Sequence, residues 1–176
     1  PRIVAFETTQ RCPLQCRHCR ATAQAEGTDA LSTEDCVRIL RSLGEYNTCV
    51  VILTGGEPLA RPDLFEILER SAETRVKFSL ATCGYYLDEA TARRLKELGV
   101  IFVSFSLDGA DAQSHDAFRG VDGAYATMVR AIEAAKAAGL RFQINTTITR
   151  LNVGQVRAIA DQAVKWGAVC WNPFIL

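Results

Sequence analysis

Three cysteines, Cys12, Cys16 and Cys19, fall within eight residues in the segment QRCPLQCRHCRA. Thiols grouped so closely suit a soft metal centre, zinc or iron–sulfur, because several thiolates on one loop can converge on it. A closed structural site normally has four ligands. Three cysteines therefore imply either a ligand from elsewhere in the chain or a coordination position left for an outside molecule. His18 is a candidate fourth zinc ligand, but its place directly beside Cys19 makes simultaneous tetrahedral binding awkward. Arg11, Gln15, Arg17 and Arg20 make the loop polar, which disfavours a reading as buried, unligated thiols.

The rest of the chain must position that loop. Its 176 residues are enough for one domain with a substantial core, and 48% of them are hydrophobic. Lys plus Arg and Asp plus Glu both number 20, with no long run of one sign, so neither a nucleic-acid groove nor a charged membrane face is expected. No apolar run approaches the ~18 to 20 residues of a spanning helix, and no secretion signal is evident. Seven cysteines, an odd number, fit a reducing compartment better than a disulfide framework, and a cytoplasmic location is expected.

Six β-type runs, IVAFETT, CVVILTG, VKFSLAT, VIFVSFSLD, LRFQINTTIT and AVCWNPFIL, alternate with five helical stretches. Cys36, Ile39, Leu40 and Leu43 have amphipathic helical spacing, with Ser32 as the expected cap and Asp35 three residues on. Tyr125, Met128, Val129 and Ile132 repeat the spacing. Gly99, Gly139 and Gly167 stand where left-handed caps would turn helix into strand. The pattern predicts an α/β fold: a partial (β/α)6 barrel of parallel strands, TIM-like, spanning residues 1–176. Chemistry in that architecture gathers after the strands. The cysteines follow the first, Gly55-Gly56-Glu57-Pro58 the second, Thr82-Cys83-Gly84 the third, and Ser106-Leu107-Asp108-Gly109 the fourth. Asn145 and Thr147 alternate on the fifth and so share a face.

Cys12-x3-Cys16-x2-Cys19 after a first strand, followed by Gly55-Gly56-Glu57-Pro58 after a second, resembles the radical S-adenosylmethionine (SAM) superfamily; VSFSLDGADAQSHDAFRG and INTTIT extend the resemblance along the chain. It implies that Cys12, Cys16 and Cys19 hold a 4Fe-4S cluster whose fourth iron is chelated by SAM. It further implies reductive cleavage of SAM to a 5′-deoxyadenosyl radical that abstracts a substrate hydrogen. Gly55 and Gly56 would then let the backbone approach the methionyl group closely, with Glu57 and Pro58 shaping the turn. On the same likeness Ser106, Asp108 and Arg119 are SAM contacts, Arg119 pairing the carboxylate. Asn145 and Thr147 would face ribose or adenine, and His18 takes a position where the family often has an aromatic residue on the adenine.

His115 reads as a surface loop histidine, Cys36, Cys49 and Cys170 as small core residues, and Cys83 as a rim thiol of open role. Within the superfamily, RIVAFETTQRCPLQCRHCRATA and WNPFIL look most like enzymes of alternative heme and heme d1 biosynthesis and like peptide maturases of the SPASM or twitch type. This implies a tetrapyrrole-like or a peptide substrate and an electron-donor protein such as flavodoxin or ferredoxin. Arg11, Arg17, Arg20 and Arg61 are candidates for binding propionates. Such relatives continue into a cysteine-rich extension, so the chain reads as a core without it. A non-catalytic zinc or iron–sulfur module is the rival reading.

Overall fold

A computed structural model describes residues 1–176. Six strands form one sheet in the order β1-β2-β3-β4-β5-β6, each pairing in parallel with the next. They are β1 (Ile3–Thr9), β2 (Val50–Gly55), β3 (Lys77–Thr82), β4 (Phe102–Ser106), β5 (Phe142–Ile148) and β6 (Trp171–Ile175). The connections carry α1 (Thr33–Tyr46), α2 (Leu64–Arg70), α3 (Glu89–Glu97), α4 (Ala112–Arg119), α5 (Ala124–Ala137) and α6 (Val156–Trp166). Sequential parallel order wraps a sheet in one direction and puts its crossovers on one side. Because β1 and β6 do not pair, the barrel stays open along that edge.

The expected alternation holds on both faces. Val51 and Leu53 of β2, Phe78 and Leu80 of β3, Val103 and Phe105 of β4, and Phe142 and Ile144 of β5 are buried in one 30-residue apolar cluster. Leu40 of α1, Ile67 of α2, Leu95 of α3, Met128 and Ile132 of α5 and Ile159 of α6 complete the cluster from the helical side. On the other face Ser104 of β4, Gln143 and Asn145 of β5 and Asn172 of β6 form a polar patch. Gln143 Nε2 donates to Ser104 Oγ at 2.8 Å, and Asn172 Nδ2 donates to Asn145 Oδ1 at 3.1 Å.

Local signals act as the sequence implies. Asp35 N donates to the Ser32 side chain at the start of α1, and Gly99, Gly139 and Gly167 take positive φ of 76°, 67° and 83°. The expected count of five helices is corrected to six. The β4–β5 connection holds a separate helix, α4, started by a capping box between Asp111 and Ser114 and ended by Gly120. His115, expected in an exposed loop, lies within α4 and is 2% exposed. Cys36 and Cys49 are core residues as expected; Cys170 is exposed, just before edge strand β6. No helix is long and apolar enough to cross a membrane.

Arg61 is a further correction. It does not face the rim as a propionate ligand would; it is 3% exposed and ties three segments together. Its Nη1 donates to Thr8 O at 2.6 Å, Nη2 donates to Leu31 O at 3.0 Å, and Nε pairs with Asp63 at 2.9 Å. Replacing it by Leu should cost about 3 kcal/mol, since a half-buried carboxylate and two carbonyls lose their donor together. Urea denaturation of Arg61→Leu beside wild type measures this, and a loss below about 0.5 kcal/mol would contradict a buried tie and match a surface position.

Candidate functional site

The cysteine loop leaves β1 at an irregularity. Pairing with β2 runs in register to Glu7–Thr54 and then shifts so that Thr9 faces Gly55, a bulge that redirects the chain at the sheet end. The loop folds back on itself through Cys12 N to Gln24 O (2.9 Å) and Gln10 N to Thr28 O (3.0 Å), while Cys19 N closes a turn on Cys16 O (3.1 Å). Thr22 takes a positive φ of 46°, and Ala23 N donates to Cys19 Sγ at 3.5 Å.

The two glycines after β2 serve this loop. Gly56 N donates to Thr9 O and Glu57 N to Arg11 O, both at 2.7 Å. A Cβ on Gly56 would lie 2.2 Å from Arg11 O, and one on Gly55, at φ +131°, would lie 2.4 Å from Thr9 O. The crowding that excludes a side chain on the protein's side comes from its own backbone, so the glycines also serve packing of the cysteine loop. Glu57 carries the tie onward. Fully buried, it accepts Thr82 Oγ1 at 2.8 Å, Cys83 N at 2.7 Å and Leu59 N at 3.1 Å. Burial pushes its carboxyl above the usual range, and these donors oppose the push.

A cavity of about 460 Å³ lies over the strand ends, and its wall includes Cys12, Cys16, His18, Cys19, Gly55, Gly56, Cys83, Ser106, Arg119, Asn145 and Thr147. Ten of these are residues singled out in the sequence for the metal or cofactor; Glu57, Pro58 and Asp108 are buried behind the wall. Cys83, whose role the sequence left open, belongs to it. The Cys83 thiol beside Cys12 brings the Cys12 thiol down to about 7, while Cys83, next to Cys12 and buried near Glu57, is pushed well up. Burial raises Cys16, with Arg119 opposing. No three His, Cys, Asp or Glu side chains stand where they could hold a single metal ion. Asn172 and Gln143, not anticipated, fix the Asn145 amide: both donate to Asn145 Oδ1, at 3.1 and 3.4 Å, which leaves its NH2 group free for a ligand.

Asp108 and Arg119 form a buried ion pair whose parts are each held elsewhere. Thr147 N donates to Asp108 Oδ1 at 2.6 Å, and Arg119 Nη1 donates to Cys16 Sγ at 3.6 Å. Arg119 Nε is buried without a partner. Burial opposes the guanidinium charge, yet Asp108 and Cys16 keep it protonated. His18 tilts against Phe118 with ring centroids 4.6 Å apart, and burial, then Arg119, lowers its pKa and favours the neutral ring. Arg20 reaches the cavity wall but pairs with Glu7 at 2.9 Å, Arg11 pairs with Asp29 at 3.5 Å, and Arg17 is exposed.

His115 accepts Asp108 N on Nδ1 at 3.2 Å, so its proton sits on Nε2. Burial and then Arg119 lower its pKa to about 3. A histidine kept neutral in the fold but free to protonate when unfolded makes stability fall as pH drops below about 6.5 and level off near the folded value. His115→Gln should therefore flatten the stability profile between about pH 6.5 and 3 by a few kcal/mol. Urea midpoints across that range test it; parallel profiles for wild type and variant would contradict a buried neutral ring.

The radical SAM superfamily profile matches residues 6–163. An AdoMet-dependent heme synthase from Nitratidesulfovibrio vulgaris is 36% identical across 99% of this chain and 48% of that relative. A mycofactocin maturase, MftC, from Mycobacterium ulcerans is also 36% identical, across 96% of the chain and 46% of the relative. Among solved structures, Streptococcus suis SuiB bound to precursor peptide SuiA superposes with a TM-score of 0.84 at 21% identity, over 99% of this chain and 39% of SuiB, which shows a shared fold. The chain spans about half the length of the curated relatives it matches. A profile match over most of the chain, carried on this sheet, means that the chain belongs to the radical SAM superfamily, whose members use a 4Fe-4S cluster and S-adenosylmethionine.

Proposed function

We propose that residues 1–176 are the core of a radical SAM enzyme in which Cys12, Cys16 and Cys19 hold the 4Fe-4S cluster and SAM takes the remaining coordination position. The observation that carries this reading is that all three thiols border one cavity with Gly55, Gly56, Ser106, Arg119, Asn145 and Thr147. The donor set fits the group: soft thiols on one loop, one of them lowered to about 7, beside an unpaired buried Arg119 Nε suited to a carboxylate. When bound, the pair supplies one-electron cleavage of the sulfonium to a 5′-deoxyadenosyl radical for hydrogen abstraction.

The protein's own residues bind and orient. Gly55 and Gly56 bring backbone carbonyls to the cavity wall for the methionyl amino group, and Arg119 serves the carboxylate. Ser106, Asn145 and Thr147 offer neutral donors and acceptors to ribose and base, Asn145 through its NH2 group. His18 presents a flat ring for adenine. Glu57, Pro58 and Asp108 act from behind by fixing Cys83, the turn and Arg119.

For the substrate, the heme synthase relatives support modification of a tetrapyrrole side chain. Arg11, Arg17 and Arg20 remain the propionate candidates, whereas Arg61 is taken up by the fold. A peptide substrate is the second reading, favoured by the equal identity to a mycofactocin maturase. The electron comes from a small donor protein of the flavodoxin or ferredoxin class.

Anaerobic reconstitution followed by electron paramagnetic resonance (EPR) tests the core. Dithionite should produce a reduced 4Fe-4S signal that changes when SAM is added; a signal indifferent to SAM would overturn the assignment of the open position. Cys16→Ala should reduce cluster iron to background. Gly56→Ala should lower cluster retention on the order of tenfold or more, because the added Cβ displaces the cysteine loop, whereas full iron loading with weakened SAM binding would contradict that packing role and leave only the approach to SAM.

A further inference from the structure

Arg119 has a second contact that SAM binding does not require. Its Nη2 pairs with Asp108, and its Nη1 is aimed at Cys16 Sγ, 3.6 Å away. Its backbone carbonyl also accepts Gln15 N at 3.1 Å, so one residue grips the cysteine loop at two successive positions. The guanidinium is held from behind. Asp108 accepts Thr147 N, its own carbonyl accepts Asn152 Nδ2 at 3.0 Å, and its N–H donates to the neutral His115 ring. Asp108 is 1% exposed and Arg119 8%.

The other two thiols lie in different surroundings. Cys19 Sγ accepts only a backbone N–H, from Ala23. Cys12 lies beside the Cys83 thiol. Only Cys16 therefore meets a cationic donor, and that donor is shielded from water, where its charge acts at much lower effective dielectric than that of a surface arginine.

We propose that Arg119 tunes the cluster: clamped by Asp108, it donates a charge-assisted hydrogen bond to the Cys16 thiolate and raises the reduction potential of the 4Fe-4S centre. The inference rests on the cluster assignment made above. Reduction adds one electron to a centre already negative from its thiolates and sulfides. A fixed neighbouring cation stabilises the reduced form more than the oxidised form, and hydrogen bonds to cluster sulfur are among the determinants of potential. Arg119 is thus a positioning residue that makes a one-electron donor of a given potential more effective.

The test is an EPR-monitored redox titration of the full-length, anaerobically reconstituted protein without SAM, which separates this role from SAM binding. Arg119→Gln should disfavour the reduced cluster roughly tenfold at fixed potential, about 59 mV for one electron, toward more negative values. Arg119→Lys keeps the charge but cannot reach Asp108 and Cys16 together, so its shift should have the same sign and be smaller. Electron–nuclear double resonance in H2O and D2O should show, beside the coupling of the Ala23 N–H on Cys19, a further exchangeable-proton coupling in wild type that Arg119→Gln loses. Unchanged potentials in loaded variants would overturn the proposal. If Arg119→Gln does not load, Arg119→Lys decides by the same criterion. A wild-type protein that loads no cluster would overturn the underlying assignment, and the tuning role with it.

Discussion

Everything at the strand ends depends on one backbone contact, the approach of Gly56 and Glu57 to Thr9 and Arg11. Two 2.7 Å hydrogen bonds join the start of the cysteine loop to the turn after the next strand, with no space for a Cβ on the facing side. The Glu57 side chain then extends the tie to Thr82 and Cys83 on the third strand. Three neighbouring rims are so fixed by six residues, at the expense of burying a carboxylate. That burial is tolerable because its oxygens accept two backbone N–H groups and a hydroxyl, so little of its hydrogen-bonding capacity is left unmet.

The sheet makes such a rim useful by separating its faces. With strands in sequential order, the helices cover one side and draw in the apolar residues of every strand, leaving the alternate positions to the concave side. There Ser104, Gln143, Asn145 and Asn172 bond to one another, so this polar surface is already ordered. With its oxygen accepting from two neighbours, the Asn145 amide turns its NH2 group toward the cavity. Asn145 is thereby a donor, a property set by residues on two strands.

Much of this was readable in the chain. Strand periodicity and the glycine caps are local signals, and each was realised; the Cys-x3-Cys-x2-Cys spacing is a third local signal, and its thiols border one cavity. The residues at the ends of strands one, two, four and five converge on one cavity because parallel βα units bring those ends together. What sequence could not convey is the direction in which a residue is used. Gly55 and Gly56 were correctly marked as places for close approach, but which neighbour approaches is a tertiary fact. Arg61 has the composition of a rim arginine and becomes a buried tie because the carbonyls of Thr8 and Leu31 happen to need a donor there. His115 was misread because α4 is only eight residues long and its capping box lies in a segment rich in turn formers.

That short helix is also what completes the site. From α4, Phe118 packs on His18, the Arg119 side chain reaches Cys16, the Arg119 carbonyl receives Gln15 N, and Gly120 lies against Gln15. The cysteine loop is a long excursion from β1 whose own hydrogen bonds fasten it mainly near its ends; the stretch from Gln15 to His18 is braced by residues about a hundred positions later. Contacts of such separation leave no periodic trace, since neither partner's local sequence needs the other. A cluster motif therefore announces which residues can bind, while the helix that gives the three thiols unequal surroundings is specified by packing alone. In this chain the unequal surroundings of the three thiols thus trace to the segment after the fourth strand, which alone brings a cationic donor to one of them.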